Sequence, residues 1–257
     1  MCYYNECRVS RAEYIRLMGI EKELKNLRLN RPAQSGFDYR DWPIIKPIAG
    51  GKDFEIKEAH WEYIPASVYD EHDLKDLRIM LTLLNAKGEN LLKNEKGKPS
   101  MFAEGARKGR CLVLSTGFYE WRHIPKLGKR GQPLAQTEKI PYYITLKNRN
   151  EFFYMAGVSR IWTNQSRGQS ADTFAIVTTE ANELMKKVHN AKKRMPVIMP
   201  VDIATKWIGE GLSEKEITEL ANYQFDANEM VAWPVAKNFI SKENPEEEYK
   251  YENLPEL

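Results

Sequence analysis

The sequence predicts an α+β fold, a largely antiparallel, barrel-like twisted β-sheet core flanked by helices. It forms one domain over residues 1–240, followed by an acidic, flexible tail over 241–257. Three observations carry this. Short runs rich in β-branched and aromatic residues recur along the chain, they lack the regular βαβ alternation of a doubly wound sheet, and helical signals fall only between some of them. With 257 residues, 42% hydrophobic and 29% charged, the chain has the composition of a globular protein with a sizeable core.

Taken in order, Ser10 and Glu13 form a capping box, and Tyr14, Leu17, Met18, Leu24 and Leu27 follow at helical spacing. This predicts a first helix over about 11–28. An irregular stretch through Pro32, Gly36, Pro43 and Pro47 leads to a strand over 54–63. Further strands are expected at 81–84, 111–115, 142–146, 151–158, 173–178 and 230–235. Helices are expected at 180–188 behind two threonines, at 201–208 after Pro200, and behind a second capping box of Ser213 and Glu216. Residues 123–139 and 163–172 read as surface loops.

Net charge is +3, but its distribution is uneven. From Glu243 onward there are six glutamates and one lysine, so residues 1–242 carry +8. Basic residues gather at Lys87, Lys93, Lys96, Lys98, Arg107, Lys108 and Arg110, then at Arg122, Lys126, Lys129 and Arg130. A solvated face explains such a distribution, and so does a phosphate backbone. No apolar run approaches a membrane span and the N-terminus lacks a signal-peptide core, so a cytoplasmic protein without membrane contact is expected. Three irregularly spaced cysteines suggest neither a disulfide framework nor a metal site, and no cofactor motif is present. Nothing points beyond a monomer.

Four segments contain polar residues that their surroundings leave unexplained. Removal of Met1 would give Cys2 a free α-amine beside its thiol, with pKa values near 8 and 8.5. Such a 1,2-aminothiol condenses with an aldehyde and closes a thiazolidine. Asn85 and Lys87 end an apolar run, where a strand would place both on one side. The same asparagine also suits a turn. Glu120 stands among the rings of Gly117-Phe118-Tyr119-Glu120-Trp121, a setting that raises a carboxyl pKa towards general-acid range. His189 ends a predicted helix, where the macrodipole favours an imidazolium.

The segments MC, LLNAKGE, KPSMFAEGARKGRCLVLSTGFYEW, YYITLKNRNEFFYMAGV, FAIVTTEAN and HNAKKRMPVIM occur in an order and spacing that resemble the SRAP family of abasic-site processing proteins. The resemblance runs from Cys2 to about Pro234. It implies a single SRAP-type domain whose Cys2 is the crosslinking nucleophile towards the aldehyde of an open-ring abasic deoxyribose. By the same resemblance Asn85 holds the N-terminal residue and the sugar, Glu120 shuttles protons, and His189 assists ring opening and reversal. Lys87 and Arg194 match the family's DNA-contacting positions. The implied partner is single-stranded DNA containing abasic sites, and the implied chemistry is covalent protein–DNA linkage in the DNA damage response. Lyase-like character and autoproteolytic, peptidase-type removal of the N-terminus come with it. Three departures stand out: Cys2 is followed by Tyr3 and Tyr4 rather than Gly-Arg, Lys87 replaces an arginine, and four residues separate His189 from Arg194. Two other readings compete, a non-covalent single-strand binding module that stacks bases on exposed aromatics and a cysteine hydrolase built on Cys2, His189 and Glu120.

Overall fold

The computed structural model describes residues 2–8, 14–23, 30–48, 50, 52–128, 130–148 and 152–257. In chain order the elements begin with β1 (Tyr4–Cys7), β2 (Tyr14–Leu17), β3 (Ile20–Glu23), β4 (Arg31–Ser35), β5 (Asp41–Pro47) and β6 (Phe54–Trp61). Then come α1 (Glu71–Met80), β7 (Asn85–Lys87), α2 (Ala103–Lys108), β8 (Arg110–Ser115), β9 (Gly117–Leu127) and β10 (Pro133–Leu146). The last are β11 (Phe153–Asn164), β12 (Gln169–Glu180), α3 (Glu183–Val188), β13 (Arg194–Pro196), β14 (Ile198–Met199), α4 (Val201–Ile208), α5 (Glu214–Ala221) and β15 (Met230–Pro234).

The α+β expectation holds, and the sheet does close. Strands β12, β6, β5, β8 and β11 are hydrogen-bonded in that order, and the β11–β12 ladder completes the ring. Five strands cannot alternate direction all the way round, so one pair must run parallel; it is β6 with β12. Closure leaves the ring no exposed edge. All six residues of β8 are buried because core lies on both of its faces. The rings of Trp42, Trp61 and Phe174 fill the interior, and the Trp42 indole N–H donates to the Leu114 carbonyl at 2.9 Å, so that large ring enters without an orphaned donor.

A second, antiparallel sheet is ordered β15-β10-β9-β1-β4. Along β9, Phe118 joins the main core and Tyr119 a separate cluster with Tyr143, Val235 and Phe239. Strand alternation therefore puts Glu120 on the same face as Phe118. A side chain at Gly117 would place its Cβ 2.1 Å from the Tyr143 ring, so this close approach requires glycine. Strand β1 lies beside β9 with Tyr4 opposite Tyr119, which carries Cys2 to the strand that holds Glu120.

Several expectations are corrected. Within the predicted first helix, residues 14–23 form a β-hairpin, with Met18 and Gly19 both left-handed in the two-residue turn. Ile15 and Leu17 are buried while Arg16 is exposed, the period of two of a strand in place of the helical spacing read from Tyr14, Leu17 and Met18. Ser10, Glu13, Leu24 and Leu27 lie outside the described residues. The segment 81–84 is not a strand: the Leu81 N–H caps α1 by donating to Leu77, and the strand begins at Asn85. The predicted loops 123–139 and 163–172 are largely the extended arms of the β9–β10 and β11–β12 hairpins. Helix α3 starts later than predicted, capped by the Asn182 side chain, because Thr178, Thr179 and Glu180 continue β12.

The acidic 241–257 segment lies against the second sheet. Its Glu246 carbonyl accepts from the Trp233 indole at 2.7 Å, the Tyr249 N–H donates to Pro234, and the Glu256 carbonyl accepts from Arg122 at 3.0 Å. Among the described residues no helix is long and apolar enough to cross a membrane.

Candidate active site

Four segments far apart in sequence meet where the two sheets join. Cys2 precedes β1, Asn85 opens β7, Glu120 is on β9, and His189 follows the last turn of α3. All four side chains are buried, Cys2 completely. The Asn85 Nδ2 donates to the Cys2 carbonyl at 3.0 Å, so the asparagine grips the main chain of the N-terminal strand. Strand β7 is itself held by parallel pairing with β12, Asn85 opposite Ile176. The Asn85 Oδ1 is buried and accepts no hydrogen bond from the described residues.

Glu120 Oε2 lies 3.6 Å from His189 Nε2. Burial pushes the Glu120 carboxyl up to about 7 and pulls the His189 imidazole down to about 4. The imidazolium expected from the helix dipole is thus overturned, since six residues of helix offer less than desolvation takes away. His189 Nδ1 is 2.8 Å from the Arg194 carbonyl, which can only accept. This fixes the proton of a neutral ring on Nδ1 and leaves the Nε2 lone pair facing Glu120. Near neutral pH the carboxyl is divided between acid and carboxylate beside a neutral imidazole, so the pair can give up a proton or take one.

The Cys2 thiol also departs from its free value. Burial, reinforced by the nearby Glu120 charge, pushes it well up, so it rests as S–H rather than thiolate. The strand register joins the two halves of the cluster, because β1 runs antiparallel to β9 with Tyr4 opposite Tyr119 and so leads the chain at Cys2 along the edge that holds Glu120.

The two basic residues named with this group are placed differently. Lys87 is half-exposed, its Nζ 4.0 Å from Glu95. Arg194 is mostly buried, paired through two nitrogens with Glu89 at 2.6 and 2.8 Å and bonded to the Thr178 carbonyl at 2.7 Å. Arg110 is removed from the basic field altogether, because its guanidinium is buried and donates to the carbonyls of Ala106, Arg107, Trp207 and Gly209. Lys93, Lys96, Lys98, Arg107 and Lys108 remain exposed beyond Lys87.

Two residues given no role by the sequence reading belong to this region. Glu89 holds Arg194, and Asn190 bonds to the main chain of His123. Glu89 stands two positions past Lys87 and Asn190 directly after His189; adjacency to a motif was their only signal.

A sequence profile of the SRAP family, SOS response associated peptidase, matches residues 1–241. The chain belongs to that family. It is 30% identical to abasic site processing protein YoqW of Bacillus subtilis, over 83% of this chain and 80% of that one. It is 27% identical to abasic site processing protein HMCES of Xenopus tropicalis, over 59% of this chain and 44% of that one. A crystal structure of a protein from Bacteroides thetaiotaomicron superposes with a TM-score of 0.73 at 29% identity, covering 96% of this chain and 97% of the other.

Proposed function

We propose that the protein processes abasic sites in single-stranded DNA by joining them covalently to Cys2 once Met1 has been removed. The observation that supports this most is the buried meeting of Cys2, Asn85, Glu120 and His189. The names of the chain's relatives agree with it.

The closed sugar must first open. The anomeric hydroxyl loses its proton while the ring oxygen gains one as the C1′–O4′ bond breaks, and the Glu120–His189 pair can carry out both transfers. The α-amine of Cys2 then attacks the C1′ aldehyde, and the carbinolamine loses water to give a Schiff base. Asn85 holds the Cys2 carbonyl, and its unused Oδ1 is placed to accept from the attacking amine or a sugar hydroxyl. Finally the thiol adds across C=N, sulfur to carbon and proton to nitrogen. One water leaves overall, and no thiolate need accumulate, which suits a thiol held up by burial. The same buried cysteine would serve autocatalytic removal of Met1, the peptidase side of the proposal.

Lys87 and the exposed lysines from Lys93 to Lys108 supply the phosphate-attracting surface. Single-stranded DNA bearing one abasic site, incubated with wild type and with Cys2→Ala, tests the reading on a denaturing gel. A shifted band with wild type alone supports it. No Cys2-dependent band sinks it in favour of non-covalent binding.

A further inference from the structure

His189 and Glu120 lie on elements that share no ladder, and the bridge between those elements is Asn190. Its Oδ1 accepts from the His123 N–H and its Nδ2 donates to the His123 carbonyl, both at 2.9 Å. One side chain thereby reproduces the two-bond exchange of a neighbouring strand residue. The opposite edge of β9 at His123 is already taken by Lys139 of β10. On the Asn190 side, β1 pairs with β9 no further than Tyr4 opposite Tyr119. Between that last rung and the Asn190 bonds lies the short edge of Glu120, Trp121 and Arg122, towards which the chain before Tyr4 leads.

We propose that Asn190 is a positioning residue: it clamps the end of α3 to β9, setting the His189–Glu120 separation and closing the far end of the edge beside which Cys2 lies. The local chain needs such a clamp. His189 is already outside helical conformation at the C-cap of a six-residue helix, Ala191, Lys192 and Lys193 are exposed, and Lys193 is left-handed. Without Asn190 nothing else among the described hydrogen bonds ties the exposed part of this loop to β9. An ångström of drift there would separate acid from base, and displacements of that size cost roughly 10- to 100-fold in rate. The effect on rate rests on the abasic-site reading; the clamp itself does not.

The test uses the full chain with Asn190→Ala and Asn190→Asp. Asn190→Asp keeps an acceptor for the His123 N–H and loses the donor to the carbonyl. First, the His189 ring is titrated by NMR without DNA, its signals assigned with His189→Gln. The groups facing it are Glu120 and His123 of β9, Lys192 of its own loop and the chain's N-terminus. The clamp predicts that Asn190→Ala moves the His189 midpoint up towards the ordinary histidine value, with Asn190→Asp between. Second, Asn190→Ala should slow crosslinking roughly 10- to 100-fold while the Kd for the same DNA stays within about twofold. A folded Asn190→Ala with an unchanged His189 titration overturns the clamp, as does a wild-type crosslinking rate. Should Asn190→Ala not fold, Asn190→Asp carries both readouts. If wild type itself forms no crosslink, the functional reading fails and the titration alone decides the clamp.

Discussion

The Glu120 carboxyl and the His189 imidazole stand 3.6 Å apart, both buried, with the ring's other nitrogen tied to the Arg194 carbonyl. Burial disfavours charge on each, so the contact is not a salt bridge, and under the proposed function it is the pair that transfers protons. Removing its acid should affect chemistry and spare binding. Glu120→Gln is expected to slow crosslinking to abasic single-stranded DNA by about 100-fold or more. Affinity for the same strand should hold within about twofold, as read by fluorescence anisotropy. Equal loss of both would assign Glu120 to the fold.

The same pair predicts the pH profile. The acid form of Glu120 declines as pH rises through about 7. The free amine of an N-terminal cysteine grows as pH approaches about 8. Their product gives a bell-shaped single-turnover rate with its maximum between these values. Glu120→Gln should abolish the alkaline decline while retaining the acidic limb.

Glu6 makes a separate prediction about stability. Its buried carboxylate accepts from the Tyr119 hydroxyl at 2.6 Å and the Tyr143 hydroxyl at 3.0 Å, yet burial outweighs both bonds and pushes it up to about 7. The folded chain therefore holds this proton more tightly than the unfolded chain does. Its contribution to stability is fully present below the unfolded value of 4.5 and is lost as pH rises through about 7. A shift of this size corresponds to roughly 3 kcal/mol. Urea unfolding at about pH 5 and about pH 8 should show that decline in wild type and a flatter dependence in Glu6→Gln.

Lys87 and Arg194 should separate under mutation. Arg194→Ala removes the bonds to Glu89 and Thr178 and is expected to destabilise the fold by about 1–3 kcal/mol. Lys87→Ala should leave unfolding unchanged. Instead it should weaken single-strand binding and lower the salt slope by about 0.7 if the lysine meets one phosphate. A salt slope that responds only to Arg194→Ala would reverse the assignment.

What the sequence disclosed follows from where its information lies. The cluster of Cys2, Asn85, Glu120 and His189 could be named because each residue sits in a segment whose neighbours carry the family's pattern. The closed ring was approachable because β5, β11 and β12 are rich in β-branched and aromatic residues. The hairpin of residues 14–23 was hidden because Leu17, at the end of β2, and Met18, in the turn beside it, mimicked a helical face. The outer arms of β9 and β10 are exposed on both faces and so carry no alternation to detect. The protonation state of His189 depended on burial by distant elements, which adjacency to a helix end cannot report. Likewise Arg110 looks like any surface cation until four carbonyls are folded around it.

The central claim concerns one bond-forming residue, and intact-mass and peptide mass spectrometry of the DNA adduct tests it most directly. The account predicts a complex equal to protein lacking Met1 plus the abasic strand less one water, with the modification on the N-terminal peptide that begins at Cys2. Borohydride added after the reaction is complete should leave that mass unchanged, since a closed thiazolidine offers no C=N bond to reduce. An adduct that maps to a lysine, or a Cys2→Ala protein that couples as fast as wild type, would contradict it.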